Sequence, residues 1–444
     1  MKTPICDFVR AYADSRPIRM HMPGHKGVSR LGPEPLDITE ISGADELYRA
    51  EGIIRESEAY AAALFGSART FFSTEGSSQC VRAMTALALR FSLERKGPAR
   101  LLAGRNAHQS LISAAALLDA EVDWLYPESD GNLLSCAVTP ETLDRALSSR
   151  DYAAVYLTSP DYLGHLADLR PLAAVCHAHD TLLLVDNAHG AYLRFLPRDC
   201  HPVSLGADLC CDSAHKTLPC LTGAAYLHLS RGAPAVLAGW AESALKLFGS
   251  TSPSWLILQS LDRVNAELAG SFRDRLAETL CYVEGLKATL QSLGWTLIGE
   301  EPLKMTLAPK AFGYTGFQLA DRLRRRGAEP EFADPDFLTL MPSPDTPAAH
   351  WMRLSRILRS VPRRSPVPET PPAVPRLERV CGIRQAVLGA QETVPLDQAA
   401  GRVLADASLS CPPAVFPAVP GERLTTEAVA CFRYYGFTAC SVLR

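Results

Sequence analysis

Leu182-Leu-Leu-Val-Asp186-Asn-Ala-His189-Gly190, followed by Leu209-Cys-Cys-Asp-Ser213-Ala-His215-Lys216-Thr217, is the stretch from which the rest of the chain can be read. Each part is a short apolar run that reads as a buried strand and leads into charged residues. A lysine just past a buried strand is a poor structural choice, because its ammonium is desolvated there. Desolvation lowers a lysine's pKa, which is what imine formation with a carbonyl cofactor needs. Taken alone, Lys216 can also be read as a lysine in an exposed loop. Asp186, thirty residues earlier, tips the reading. Pyridoxal-5′-phosphate (PLP) chemistry needs a carboxylate against the pyridine nitrogen, keeping it protonated so that the ring accepts electrons. An aspartate after a strand is otherwise an ordinary helix N-cap, but its order and position relative to Lys216 favour the cofactor.

Outward from this pair, Glu56 to Leu229 alternates helical and strand patterns. Short apolar runs at Leu101–Ala103, Val122–Tyr126, Ala153–Thr158, Leu182–Val185, Leu209–Cys211 and Ala224–Leu229 read as strands. Arg55–Phe65, Ser77–Glu94, Ala107–Asp119, Thr139–Leu147 and Pro171–His179 read as helices. The alternation predicts an α/β fold with a mostly parallel sheet covered on both faces, with ligands bound beyond the carboxyl ends of the strands.

Two further stretches lie at such positions. Phe71-Phe-Ser-Thr-Glu-Gly76-Ser77-Ser78 runs from an apolar segment into a helix. Glycine allows close backbone approach, and a helix N-terminus offers unpaired amides to a phosphate. Alone, this is also an ordinary N-cap. Arg105-Asn-Ala-His108-Gln-Ser110 follows another strand-like run, and His108 there can stack on a flat ring or simply be solvated beside a capping Asn106.

Composition narrows the class. The 444 residues suit two or three domains, and 47% apolar with 21% charged residues is ordinary globular usage. A net charge of −3 argues against a nucleic-acid partner. The 13 cysteines lack framework spacing and are expected to be reduced thiols in a cytoplasmic protein. The N-terminal residues, with acids among them, are not expected to form a secretory leader, and no apolar run approaches a membrane span.

The expected organisation is an N-terminal arm with substrate-side motifs (1–50), a large cofactor-binding domain (51–293), a smaller α/β domain (294–361), a Pro-rich linker (362–375) and a C-terminal domain (376–444). Within it, Pro253 to Leu293 reads as one helical stretch long enough to bridge two domains.

In sum of motifs, the chain resembles the Orn/Lys/Arg decarboxylase family, the bacterial PLP-dependent basic amino-acid decarboxylases, in their short form without an N-terminal wing domain. The resemblance rests on Met20-His-Met-Pro-Gly-His-Lys-Gly27, Asp37-Ile-Thr-Glu40, the Gly76 loop, the His108 motif, Thr158-Ser-Pro-Asp-Tyr-Leu-Gly164, Val185–Gly190, Ser213–Thr217, Ser250-Thr-Ser-Pro253 and Cys411–Glu422, in the family's order. It implies the PLP-dependent fold type I, aspartate-aminotransferase-like. It further implies that Lys216 is the Schiff-base lysine with His215 beside it, and that Asp186 partners the pyridine nitrogen. His108 would stack on the ring, His189 would belong to the cofactor site, and Gly76, Ser77, Ser78 and Ser213 would contact the phosphate. Thr251 and Ser252 match a segment reaching the phosphate of a neighbouring subunit, so the active unit is expected to be a homodimer or larger. No metal is expected. The implied reaction gives CO2 and an amine from arginine, lysine or ornithine, with Lys216 or His215 reprotonating Cα.

The chain departs from the family at Asn187, where an acidic residue is usual, and at Asp161, Leu163 and Ala414. These departures are expected among residues lining the substrate entrance. A basic substrate side chain needs a carboxylate, for which Asp45, Asp161, Glu331 and Glu422 are candidates. Two alternatives stay open: another fold-type-I reaction, since Arg353, Arg356 or Arg359 would suit a transaminase's grip on an α-carboxylate, and a non-catalytic PLP-binding protein.

Overall fold

A computed structural model describes residues 1–127, 132–408 and 415–444. Helices α1 (Pro4–Asp14) and α2 (Ile53–Phe65) lead into β1 (Arg69–Ser73) and α3 (Gly76–Glu94). There follow β2 (Arg100–Gly104), α4 (Gln109–Leu118), β3 (Glu121–Leu125), α5 (Pro140–Ser149), β4 (Ala154–Thr158), α6 (Leu169–Ala178), β5 (Leu182–Asp186), α7 (Pro202–Leu205), β6 (Leu209–Asp212), α8 (Ala214–Thr217) and β7 (Ala225–Leu229). Helices α9 (Val236–Phe248), α10 (Trp255–Ala269) and α11 (Phe272–Ser292) complete this part.

The strands form one seven-stranded sheet in the order β1-β7-β6-β5-β4-β2-β3. β5 and β6 are parallel, as are β2 and β3, whereas β7 runs antiparallel to both its neighbours, β6 and β1. Every residue of β5, β6 and β7 is buried, as continuous apolar runs in a covered sheet require. β1 is a strand where the sequence offered only an apolar segment before the Gly76 loop. The stretch expected to be one long helix is two. Gly270 takes φ −104°, ψ −118°, outside the helical region, and ends α10 before Phe272 begins α11.

The chain forms two compact units. The first comprises Met1–Gly97, Ala153–Val155 and Leu169–Arg275. Its aromatic centre is Phe65, whose ring lies 5.3 Å from those of Phe195 and Tyr226 and 4.5 Å from that of His228. The second unit comprises Pro98–Tyr152, Tyr156–Asp168 and Leu276–Arg444. It holds a four-stranded antiparallel sheet of β8 (Leu297–Ile298), β9 (Met305–Leu307), β10 (Phe332–Ala333) and β11 (Leu338–Leu340), in the order β10-β11-β9-β8. Residues 362–375 have no regular structure, as six prolines favour, and Val367 N–H donates to the Lys310 carbonyl at 3.0 Å. The C-terminal part pairs β12 (Gln391–Pro395) with β13 (Ala439–Leu443) over a core that includes Leu404, Leu424, Phe432 and Val442. Among the described residues every cysteine is free, and no helix is long and apolar enough to cross a membrane.

Candidate active site

In the first unit, the carboxyl ends of β5 and β6 and the amino end of α3 bring most of the expected residues together. β5 ends at Asp186, 3% exposed, whose Oδ1 accepts the Ala188 N–H at 3.1 Å and lies 3.6 Å from Cys211 Sγ. The chain then turns through His189. β6 ends at Asp212, and the single turn of α8 carries Lys216 back so that its Nζ lies 3.0 Å from His189 Nε2. Lys216 is half-buried. His215 donates from Nδ1 to the Ala224 carbonyl at 2.9 Å, which fixes its tautomer with Nε2 unprotonated while the ring is neutral.

The Gly76 loop is built for close approach. Gly76 has φ +72°, and a side chain at that position would meet nothing within 4 Å. Its N–H donates to the Gly223 carbonyl at 2.8 Å; Gly223 is itself at φ +97°, and a Cβ there would stand 3.0 Å from the Thr74 carbonyl oxygen. The hydroxyl of Ser213, at the start of α8, donates to that of Ser77, in the first turn of α3, at 2.7 Å. Ser78 follows in the same turn. Thus hydroxyls from two elements converge on a helix amino end, an arrangement suited to an anion. Behind it, buried Gln79 bonds Ser73 Oγ at 2.5 Å, Tyr48 Oη at 2.8 Å and the Leu245 carbonyl at 2.9 Å. Ser250 N–H donates to Glu75 of its own chain, while the side chains of Thr251 and Ser252 are exposed.

His108 belongs to the second unit, where it caps α4: Nδ1 accepts the Ser110 N–H at 3.1 Å and lies 2.8 Å from Ser110 Oγ. Three residues earlier, Arg105 donates to the carbonyls of Phe416 at 2.7 Å and Pro417 at 3.1 Å, with Glu422 at 3.7 Å. The histidine's backbone bridges to Val415.

Three of the four departures are buried and engaged within the chain. Asn187 has 0% exposure and donates from Nδ2 to Asp212 Oδ1 at 2.6 Å. Leu163 lies in an apolar cluster with Leu133, Phe332 and Tyr435. Asp161 is consumed by its own loop, accepting the N–H groups of Leu163 and His165, each at 2.9 Å, and pairing with the His165 ring at 2.8 Å. Ala414 lies outside the described residues. Of the other candidate carboxylates, Asp45 accepts the N–H groups of Glu46, Glu51, Gly52, Ile54 and Arg55 and so caps α2. Glu422 is buried and accepts the Val419 N–H at 2.6 Å; burial first of all pushes its carboxyl above the ordinary range. Glu331 alone of the four is exposed, with the Tyr162 hydroxyl at 3.4 Å. The three arginines considered for an α-carboxylate sit on Ala348–Arg359, where Arg353 donates to the Arg326 carbonyl at 2.6 Å and Arg359 to Ser355 Oγ at 3.3 Å.

Sequence reasoning missed Asp212, His201 and His228, which form a buried cluster beside these turns. An aspartate closing an otherwise apolar strand was the signal available for the first; His228 is brought to it by the pairing of β7 with β6 and His201 by its place ahead of α7, and neither left a signal.

Comparison with known proteins agrees with this architecture. The family model for the Orn/Lys/Arg decarboxylase major domain matches residues 3–297, and that for the family's C-terminal domain matches residues 374–441. An arginine decarboxylase of Halalkalibacterium halodurans is 28% identical, covering 97% of this chain and 93% of its own length. The uncharacterized protein YaaO of Bacillus subtilis is 31% identical over the same shares. Among solved structures, the constitutive lysine decarboxylase of E. coli superposes with a TM-score of 0.79 at 19% identity, over 100% of this chain and 82% of that one. A serine palmitoyltransferase from Sphingomonas wittichii shares the fold at a TM-score of 0.57, with 15% identity over 79% of this chain and 82% of its own. A lysine-bearing turn after a buried strand, an aspartate ending the neighbouring strand, and family matches spanning both halves of the sequence lead to one assignment: this chain belongs to the Orn/Lys/Arg decarboxylase family.

Proposed function

We propose that this protein decarboxylates a basic amino acid, arginine, lysine or ornithine, to the corresponding amine and CO2, using PLP held by Lys216. The observation that carries the reading is the convergence of Lys216, Asp186, His189, Ser213 and Ser77 on the ends of β5, β6 and α3. These residues fit the cofactor: the space beside Gly76 is open, the amino end of α3 accepts an anion, and Asp186 is a buried carboxylate at a strand end. The relatives named arginine decarboxylase support the reaction class.

When bound, PLP supplies a carbonyl for the substrate amine and a ring that accepts the electrons released with CO2. In this reading the α3 amides with Ser77, Ser78 and Ser213 hold the phosphate, Asp186 keeps the pyridine nitrogen protonated, and His108 contributes the stacking surface. Lys216 Nζ delivers the proton to Cα, and His189 Nε2, 3.0 Å away, resupplies it. His215 is the weaker donor, since its Nδ1 proton is engaged by the Ala224 carbonyl and Nε2 must first be charged. Glu331 is the candidate least committed elsewhere for a basic side chain. The protein acts as a cytoplasmic homodimer or larger homo-oligomer, with Thr251 and Ser252 presented to the neighbouring subunit's phosphate.

The test is a product screen with arginine, lysine and ornithine in the presence of PLP. One substrate should give amine and CO2 in equal amounts without an amino acceptor, and borohydride should fix the cofactor to Lys216. Keto-acid formation that depends on an acceptor would instead indicate transamination; attachment at another lysine would remove Lys216 from its role.

A further inference from the structure

Asp212, His201 and His228 have 0% exposure. Asp212 Oδ2 lies 3.0 Å from His201 Nε2 and 3.2 Å from His228 Nε2, and Oδ1 lies 2.6 Å from Asn187 Nδ2 and 3.6 Å from Cys210 Sγ. An ionised carboxylate only accepts, so all four neighbours present hydrogen to it, and together they fill its roughly four acceptor positions. The tautomers agree. His201 Nδ1 accepts the Val203 N–H at 3.4 Å, and His228 Nδ1 meets Thr70 Oγ1 at 2.8 Å, which leaves the proton on Nε2 of each ring. His201, Cys210 and Asp212 also hold a nitrogen, a sulfur and an oxygen within 4.8 Å of one another, as a metal site would, but hydrogen bonds already account for each of these atoms. The cluster is one buried carboxylate ringed by hydrogen-bond donors. Burial alone would raise the Asp212 carboxyl; its histidine partners overcome this and hold it well below the usual carboxylate range.

Its place in the sheet gives the cluster a consequence. Asp186 stands opposite Cys211 in the β5–β6 register, and the Cys211 thiol reaches Asp186. Side chains alternate along a strand, so Asp212 points to the other face. There the Asn187 amide ties the turn after β5 to the turn after β6. A Cβ at Gly190 would stand 2.0 Å from Asn187 Oδ1, so the turn closes tightly around that amide.

We propose that Asn187 and Asp212 are a positioning pair: one buried anion at 212, bonded by the amide at 187, sets the spacing of the two turns that carry Asp186, His189, Ser213 and Lys216. The inference rests on the reading of those four residues as the cofactor site. It also gives the departure at 187 a physical cause. An acid there would face Asp212 across 2.6 Å, where two carboxylates cannot both be ionised and one must keep its proton. The two positions therefore share a single charge, and the charge can be moved from one to the other.

The experiment compares the parent with Asn187→Ala, Asn187→Asp, Asp212→Asn and the transposed double variant Asn187→Asp/Asp212→Asn. PLP affinity, the visible absorbance of the bound cofactor and apo-protein melting are measured on each. Asn187→Ala should fold and bind PLP roughly tenfold more weakly, as the loss of one hydrogen bond to a charged group implies. Asn187→Asp should be worse still, in affinity or in folding. The double variant should recover affinity to within about threefold of the parent, and its absorbance spectrum with it. A double variant no better than Asn187→Asp overturns the pairing. Melting changes in the single variants without change in PLP affinity or spectrum overturn the positioning role, leaving a merely structural network. A parent that binds no PLP at Lys216 instead overturns the site reading, while recovery of apo melting in the double variant would still report the pair.

Discussion

Two aspartates, Asp45 and Asp186, are spent in different ways although both sit next to a helix or strand end. Asp45 gives both oxygens to five backbone amides and is a cap; its charge serves α2. Asp186 ends a strand inside the sheet, and the turn that it opens contains the histidine touching Lys216. Replacing Asp186 with alanine should leave a folded protein but lower turnover by roughly a hundred- to a few thousand-fold, because breaking a buried charge pair costs about 3–5 kcal/mol. Steady-state kinetics with the substrate identified by the product screen check this, with circular dichroism as the folding control; near-normal turnover would remove Asp186 from the assignment. At this scale the sequence was informative about place: Asp186 ends β5 and Lys216 follows β6, as the apolar runs before them lead one to expect. It was silent about the partner of Asn187, which lies 25 residues away and is chosen by strand register rather than by any local pattern. The bonds of Asp161 are local, but the turn that engages them leaves no signature distinct from a binding loop.

The elements around Asp212 give the sheet a pH dependence. His228 in β7 joins Asp212 in β6 to Thr70 in β1, so three neighbouring strands meet at one imidazole. Burial, the largest cause, pushes His228 below its ordinary 6.5, so the folded protein keeps it neutral where the unfolded chain would protonate it. Below about pH 6.5 the unfolded state therefore binds more protons than the folded state, and stability falls with pH by up to about 1.4 kcal/mol per unit for this one group. The contribution is intact above that pH. Urea midpoints measured from pH 5 to 8 should show the decline, and His228→Gln, which keeps a donor for Asp212 without a titrating group, should make it shallower. Equal slopes for both proteins would assign the decline to other residues. Periodicity marked six of the seven strands of the large sheet because burial imposes it. It could not mark the break at Gly270, since one glycine inside an apolar-periodic run is compatible with a continuous helix, nor β1, whose five residues share their pattern with many loops.

For the whole molecule, the decisive property is whether its sites are shared between subunits. Gly249 and Ser250 are fixed within their own chain: a Cβ at 249 would stand 2.0 Å from Tyr48 Oη, and Ser250 N–H is held by Glu75. The following Thr251 and Ser252 are exposed. If they complete a neighbour's phosphate site, Lys216→Ala and the Thr251→Ala/Ser252→Ala double variant damage each site through different chains. Mixing the two under subunit exchange should then restore activity, up to about a quarter of the parent's if exchange is random and sites are independent. The double variant must be severely impaired alone for the test to read. Confirmed exchange by mass spectrometry with no recovery would exclude shared sites and leave Lys216 unaffected.

Arg105 donates to the carbonyls of Phe416 and Pro417, and the backbone of His108 bridges to Val415. A residue pair read from the early part of the chain is thus finished by its last seventh. The two regions matched as separate domains are tied at this residue: a shortened chain ending before 374 would keep the Arg105 guanidinium yet lose the carbonyls and the Glu422 carboxylate that partner it.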